Sequence, residues 1–393
     1  MKKRQMMRAA AVVVSMAMTA ASLTACGGSG AKETPAATAK EAAPESKAEA
    51  PAEAASAEGA DAVKTDYLAN DPLRVGTMPH QMGVSLWYAD KNDLFKEAGI
   101  NVDLAMFSGG AAINEAIGAG ELDGAISGLA TVYALANNLV TMVGEVDTAG
   151  ADGIVVRNDS DILAHKGEIE GKPEMYGSAD TLKGKSYVCQ LGQAQQFYVS
   201  KYISQFGLTD DDITFINMED ASGYQAFMSG EGDVIGTKMP YIYTMAVEGD
   251  YTICASVEDA TGIKIKDCVI FSPAVIGERR DEIKIFLQVI YGVIDKMEAD
   301  PAFRKEVVKE FYGENGIQFV EEQLDYELEK NELLGSKVQG SAEYMIGDGM
   351  QSVADFYGTV GTIDPANVDN VYKNYDNTLI SEALGVEVKK FSK

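Results

Sequence analysis

Histidine is almost missing from this chain: His80 and His165 are the only two in 393 residues. Tryptophan occurs once, as Trp87, and cysteine four times, never as C-x-x-C. There is no G-x-S-x-G, no H-E-x-x-H, no G-x-x-x-x-G-K-[ST] and no G-x-G-x-x-G after a first strand. Nucleophile, metal cage and cofactor loop are therefore all without a visible source, and the chain is expected to be no enzyme and to hold neither metal nor cofactor. Glu219 and Asp220 are an adjacent carboxylate pair, but chain neighbours rarely point into one site together. Positive charge is scarce too, with 33 Lys and Arg against 60 Asp and Glu and a net charge of −27. Such a body repels nucleic acid and anionic headgroups, and any anion site on it must be local.

Long hydrophobic runs are few, and the one at the start is short. Lys2, Lys3, Arg4 and Arg8 precede small apolar residues from Ala9 to Ala25, which reads as an export signal rather than a spanning helix. The run ends Leu23-Thr24-Ala25-Cys26-Gly27, which resembles the bacterial lipoprotein signal with Cys26 as the lipidated residue. Without residues 1–25 the balance is 29 cations against 60 anions. From 26 to 71 the composition is Ala, Glu, Lys, Pro, Ser and Gly with no aromatic before Tyr67, which predicts a lipid-anchored, disordered tether. As a coil it reaches roughly 35–40 Å. The other cysteines, Cys189, Cys254 and Cys268, are an odd number and read as small buried side chains, with a Cys254–Cys268 bridge as the alternative.

What the chain does have is a duplicated pattern. Ala116-Ile117-Gly118-Ala119-Gly120-Glu121-Leu122-Asp123 is echoed by Ala226-Phe227-Met228-Ser229-Gly230-Glu231-Gly232-Asp233, each a helix end with a glycine stop that feeds an apolar strand. Upstream, Leu94 to Ile100 matches Tyr202 to Leu208, and the opening strand Leu73-Arg74-Val75-Gly76 matches Ser186-Tyr187-Val188-Cys189. Two βαβαβ units offset by about 110 residues predict two similar α/β lobes rather than one doubly wound domain.

Thr141 to Val146 and Gly153 to Arg157 are β-rich runs expected to cross between lobes, and Tyr251 to Ser256 with Val269 to Ser272 are expected to cross back. The organisation is then 72–152 for the first part of lobe 1, 153–258 for lobe 2, and 259–393 returning to lobe 1. Helical periodicity runs from Arg279 onward, with Asp300-Pro301 as a cap, and two last helices are expected over Ala342 to Tyr357 and Val368 to Leu384. Asp210 to Asp212 lack a loop glycine and a distal Glu, which favours a solvated turn over calcium. His165 is expected to face solvent, and Trp87 is open to core packing or ligand stacking.

Ligands of open α/β sheets sit beyond the carboxyl ends of the strands. That rule directs attention to the loop Thr77 to Gly83, to Ser108-Gly109-Gly110 and to Ser127-Gly128 in the first copy. Ser108-Gly109-Gly110 opens a helix and suits an oxygen-rich group, or is a cap and nothing more. In the second copy the equivalent positions are Gln190 to Gln193, Met218 to Asp220 and Thr237 to Tyr241.

Taken in order, the lipoprotein signal, the tether, L-R-V-G, L-F-K-E-A-G-I-N-V-D-L, S-G-G, the paired G-E-x-D strings, V-V-R-N-D-S, L-K-G-K and the late M-P resemble solute-binding proteins of ABC importers, nearest the nitrate/sulfonate/taurine family. The resemblance runs from Pro72 to the C-terminus. It implies a periplasmic binding protein-like II fold: two α/β lobes, a ligand cleft between them and two hinge crossings. It also implies a monomer held outside the cell membrane through the lipid on Cys26, with a small-molecule solute and ABC permease subunits as partners and no nucleic acid. Carried over by position, the ligand contacts are Met78, His80, Gln81, Ser108, Gly109 and Ser127 from lobe 1. Gly192, Gln193, Glu219, Lys238 and Tyr241 answer from lobe 2. An oxyanion could use the Ser108 turn and Lys238, a taurine-like zwitterion could add Glu219, and methionines at strand ends suit a heteroaromatic body. A sensing lipoprotein, or a pyrimidine-synthesising enzyme on the same fold, is the alternative.

Overall fold

The computed structural model describes residues 67–393 apart from residue 151. The signal segment, Cys26 and the tether as far as residue 66 lie outside the described residues. Residues 67–71, given to the tether on composition, are fastened to the body instead. Tyr67 N–H donates to the Gly99 carbonyl at 2.9 Å, Asn70 Nδ2 to Glu282 Oε1 at 3.0 Å, and Arg279 to the Asp71 carbonyl at 2.7 Å.

The first sheet takes β1 (Leu73–Thr77), β2 (Val102–Met106), β3 (Gly124–Ser127), β4 (Thr141–Thr148) and, after a long excursion, β10 (Lys266–Phe271), in the order β2-β1-β3-β10-β4. The second is built from β5 (Gly153–Arg157), β6 (Ser186–Cys189), β7 (Thr214–Asn217), β8 (Val234–Thr237) and β9 (Tyr251–Ser256), in the order β7-β6-β8-β5-β9. The two sheets have one topology. Three parallel strands are followed by an antiparallel one, β10 between β3 and β4, and β5 between β8 and β9. Each sheet thus receives its antiparallel strand from a chain arriving from the other lobe. The four β-rich runs expected to form the crossings are these inner and edge strands, because their backbones find ladder partners there. The crossings proper are shorter: residues 149–152, and 257–265 with a single helical turn at Val257–Thr261.

The duplicated string performs the same task twice. Gly120 (φ +73°) and Gly230 (φ +96°) take the left-handed conformation that ends the preceding helix, which glycine adopts without a Cβ penalty. Asp123 Oδ2 then accepts the Arg74 N–H at 2.8 Å, and Asp233 Oδ2 accepts the Ser186 N–H at 2.8 Å. The repeated aspartate therefore pins the start of the third strand of each sheet to the start of the first.

Against the first sheet lies the helix Pro273–Ala299, burying Ile283, Phe286, Leu287, Ile290 and Ile294. It begins six residues before the periodicity becomes legible, because Arg279 (φ −128°) kinks it while bonding Glu282 and the carbonyls of Asp71 and Pro72. Phe286 is stacked on Phe95 at 5.3 Å and meets Phe271 edge-on at 5.4 Å. Asp300 caps the next helix, Pro301–Glu314, through the Phe303 N–H at 3.0 Å. Trp87 is a packing residue: its ring tilts against Phe311 at 5.4 Å and Nε1 donates to Glu314 at 3.1 Å.

The last helices differ from expectation. One spans Asp348–Val360, starting late because Gly347 (φ +79°) folds back against Tyr375. The stretch Val368 to Leu384 is divided into helices Asn370–Lys373 and Asn377–Leu384, since residues 374–376 pair with β4: Met142 N–H donates to Asn374 O, and Asp376 N–H donates to Met142 O, each at 2.9 Å. Cys189, Cys254 and Cys268 are free and buried. Asp210–Asp212 is a 3-10 turn with Asp212 paired to Lys183 at 2.9 Å, and His165 is bonded to Glu168 at the surface. Among the described residues no helix is long and apolar enough to cross a membrane, and no group of three or more His, Cys, Asp or Glu is placed to hold a metal.

Candidate functional site

The loops that follow the parallel strands meet between the lobes: the Lys238 charge, just past Thr237, reaches His80, just past Thr77, and Tyr133 Oη, beyond Ser127, donates to the carbonyl of Gly192, beyond Cys189. The crossings form the back wall of that space, because Thr148 stands level with Lys266 at the end of β4 and Gly153 with Thr237 at the end of β8. Thr77 Oγ1, Ser127 Oγ, Thr131 Oγ1 and Thr237 Oγ1 are buried there without a hydrogen-bond partner. Buried hydroxyls are normally satisfied, so three at strand ends, with Thr131 at the start of the helix Thr131–Ala136, mark a place equipped to bond something else.

Charge gathers at the same level. Lys238 Nζ pairs with Asp220 Oδ2 at 3.1 Å, and Gln195 Nε2 donates to Asp220 Oδ1 at 2.6 Å. Burial would lower the Lys238 pKa, but Asp220 and then Asp152 outweigh it and hold the ammonium above the ordinary lysine range. His80 keeps open surface yet is hemmed in by protein, and that desolvation, with the Lys238 charge second, pushes its imidazole down to about 4. Asp152 in the first crossing is half-buried by area and densely surrounded. Desolvation raises its carboxyl to about 7, Lys238 opposing and Asp220 reinforcing the rise. The open area and the crowding are compatible, since a cleft wall is wet on one side only.

Asp147 and Asp267 face each other in register on β4 and β10, both buried. Burial raises both carboxyls, and Asp267 is raised well above the usual range by the neighbouring Asp147 charge as well. Asp147 Oδ2 also accepts Asn331 Nδ2 at 2.9 Å, and Asn331 is held by Arg304. Met82 and Gly128 flank this pair: a Cβ on Gly128 would stand 2.9 Å from Asp267 Oδ1 and 3.4 Å from the Met82 methyl. A cavity of 390 Å³ lies at the crossings, with Asp152, Ser256, Lys264, Tyr326 and Glu332 in its wall.

Of the residues carried over by position, His80 and Lys238 are brought together and Ser127 ends β3 with its Oγ unpartnered. Met78 is buried in the lobe 1 core. Gln81 turns inward, donating to Tyr312 Oη at 3.1 Å and Glu327 Oε1 at 3.2 Å. Ser108 is exposed, and Gly109 caps the helix Gly110–Gly118 in an extended conformation without a side-chain bond. Gly192 (φ +73°) offers its carbonyl to Tyr133 Oη at 2.9 Å, a contact between lobes. Gln193 and Glu219 are exposed N-caps, while Tyr241 stacks on Tyr224 at 4.9 Å between two helices. Asp220 rather than Glu219 faces Lys238, because the first helical residue, not the cap, turns inward. Asp152, Asp147, Asp267 and Gln195 escaped sequence reasoning. The signal available was acidic residues 147 and 152 bracketing the first crossing in a β-rich context.

A family model described as NMT1/THI5 like matches residues 83–303. A protein of Brachyspira hyodysenteriae named as a candidate ABC transporter periplasmic binding protein is 26% identical over 315 residues, 79% of this chain and 89% of its own. Among solved structures, the periplasmic aliphatic sulphonate binding protein of Escherichia coli superposes with a TM-score of 0.61 at 17% identity, over 75% of this chain and 88% of that one. The periplasmic nitrate-binding protein of Synechocystis PCC 6803 gives 0.58 at 12%, over 80% and 88%. At these identities the likeness is one of fold: two similar α/β lobes, a cleft between them and two hinge crossings, the periplasmic binding protein-like II arrangement.

Proposed function

The chain belongs to the NMT1/THI5-like family, and from that premise we propose that it is an extracytoplasmic solute-binding protein of an ABC importer. It takes a small organic solute between its lobes, leaves it chemically unchanged and presents it to the permease subunits. Residues 72–152 and 259–393 serve as one jaw and 153–258 as the other. Cys26 carries the lipid that keeps the protein at the outer face of the membrane.

The observation that carries this reading is the opposition of two matched sheets whose strand ends hold unpartnered hydroxyls and a polar group from each jaw, the neutral His80 imidazole and the Lys238 ammonium. The names of the relative and of the structural neighbours point the same way. Ligand-induced closure needs a cleft with contacts on both sides, and short crossings allow the lobes to turn as rigid units.

The test is mass spectrometry of what co-purifies with the full chain, alongside a thermal-shift screen of sulfonates, nitrate, pyrimidines and flavins. One class should raise the melting temperature and be recovered intact, since a ligand at a hundred times its Kd stabilises by about 2.7 kcal/mol. No bound solute and no shift would end the reading; a chemically altered solute would make the protein an enzyme. Separately, Cys26→Ala should move the protein from the membrane to the soluble fraction.

A further inference from the structure

The loop after β1 and the first crossing are separate parts of the chain, and one buried series of polar groups joins them. Gln81, next to His80, donates from Nε2 to Tyr312 Oη at 3.1 Å and to Glu327 Oε1 at 3.2 Å. Glu327 faces the Arg304 guanidinium, and Arg304 Nη2 donates to the Asn331 carbonyl at 3.0 Å. Asn331 Nδ2 in turn donates to the Thr148 carbonyl at 2.6 Å and to Asp147 Oδ2 at 2.9 Å, where β4 runs into the crossing. Glu327, Asn331 and Asp147 are all buried. Buried polar groups bonded in series hold one another in a single geometry, because each lost bond leaves a partner unsatisfied.

The backbone makes a second, independent connection. Residues 332–334 run along the outer edge of β4, the last strand of its sheet: Leu334 N–H donates to the Val146 carbonyl and Thr148 N–H to the Glu332 carbonyl, each at 2.9 Å. In the crossing itself, a Cβ on Gly150 would stand 1.7 Å from the carbonyl oxygen of Lys330, the last residue of the helix Glu321–Lys330. Only glycine lets two backbones approach so closely. Tyr326 of the same helix meets Tyr243 of the second lobe at 5.7 Å. One short helix thus reaches the cleft loop, the crossing and the opposite lobe.

Resting on the solute-binding reading, we propose that the helix Glu321–Lys330 with residues 331–334 is a strap coupling the loop that bears His80 to the first crossing, with Glu327 and Asn331 as its positioning residues. Glu327 acts through Gln81 and Asn331 through Thr148. The strap fixes how the loop stands as the crossing turns, and so whether His80 meets Lys238 from the second lobe.

Coupling is demonstrated by disturbing one end and reading the other. Asn331→Ala and Gly150→Ala disturb the crossing end, and the imidazole proton resonances of the full chain, freed of co-purified solute, read the loop end. Crowding, and then the Lys238 charge, hold His80 at about 4. Each variant should raise it by about one unit or more, because both causes weaken as the loop leaves Lys238. His165, bonded to Glu168 at the surface, is the internal control, and Glu329→Ala, exposed on the same helix, should leave both curves as in the native protein. An unmoved His80 curve in either folded variant, or a shift shared with His165 or with Glu329→Ala, would overturn the proposal. Should neither variant fold, Gln81→Ala runs the test in reverse: the Thr148 amide should exchange about tenfold faster, the worth of one hydrogen bond to a charged group, and a native rate would overturn the coupling. None of these readouts needs a solute, so their failure leaves solute capture standing. Failure of solute capture is registered separately, by the absence of any co-purified or stabilising solute.

Discussion

Asp152 has Lys238 and Asp220 for neighbours, and burial raises its carboxyl from 3.8 to about 7. A carboxyl so raised keeps a proton in the fold that the unfolded chain has released, so the stability it contributes is present below about pH 4 and is lost as pH climbs through about 7. His80 works in the opposite sense. Its pKa falls from 6.5 to about 4, so the fold loses stability as pH drops through that window, when the unfolded chain takes up a proton that the folded imidazole refuses. Melting curves from pH 5 to pH 8 should therefore separate them: Asp152→Asn removes a decline toward neutral pH, and His80→Gln removes one toward acid. An Asp152→Asn profile parallel to the native one would contradict the burial assigned to this carboxyl. Sequence order made His80 and Lys238 legible because each follows a strand that could be located. Asp267 lies 120 positions beyond Asp147 in number, and only the return of β10 beside β4 brings them together. Glu219 and Asp220 were indistinguishable in the sequence, since one step along the chain decides which is the cap and which turns toward Lys238.

At the scale of elements, the duplicated G-E-x-D string is the clearest case of a sequence pattern with a single physical job. Asp123 takes both the Arg74 backbone N–H and its guanidinium, at 2.8 and 2.6 Å, and Asp233 takes the Ser186 N–H and hydroxyl, at 2.8 and 2.6 Å. Removing either carboxylate leaves a strand-end N–H unpaired at a half-buried position. Asp123→Ala and Asp233→Ala should each destabilise by about 1–3 kcal/mol, read as a lower urea midpoint with an unchanged m-value. Their effects should add, because the two sites belong to different sheets. Loss of less than a few tenths of a kcal/mol in both would mean that the motif is ornamental. Strands and helices flanked by these glycine stops were legible for that reason. The four runs expected to be crossings were located as β-rich and misassigned in role, since whether such a run bridges lobes or completes a sheet depends on partners far away in the chain. The C-terminal helices were blurred by the same cause: residues 374–376 pair with Met142 of β4, and Gly347 is held against Tyr375.

For the whole molecule, the lobes touch on two flanks as well as through the crossings. On one flank Tyr133 Oη donates to the Gly192 carbonyl at 2.9 Å, and Phe197 of the second lobe meets Phe356 of the helix Asp348–Val360 edge-on at 5.3 Å. On the other, Tyr243 of the second lobe lies 5.7 Å from Tyr326 of the helix Glu321–Lys330. Any opening rotation about the two crossings that parts these groups has to break the contacts. They stabilise closure independently of any solute, and the affinity measured for a solute is scaled by the closed fraction. Tyr133→Phe keeps the stack on Tyr357 (5.4 Å) and loses the bond to Gly192, together with the hydroxyl's interactions with Thr362 and Tyr357 inside its own lobe. A neutral hydrogen bond is worth about 1 kcal/mol, so this variant should lower the ratio of closed to open form about fivefold and weaken solute binding by up to that factor, with no residue at the cleft changed. Small-angle scattering of the ligand-free variant should show a larger radius of gyration than the native protein, and both should converge once a ligand is saturating. Weaker binding with unchanged scattering would place Tyr133 in ligand contact instead; unchanged binding and unchanged scattering would remove it from the closure equilibrium altogether.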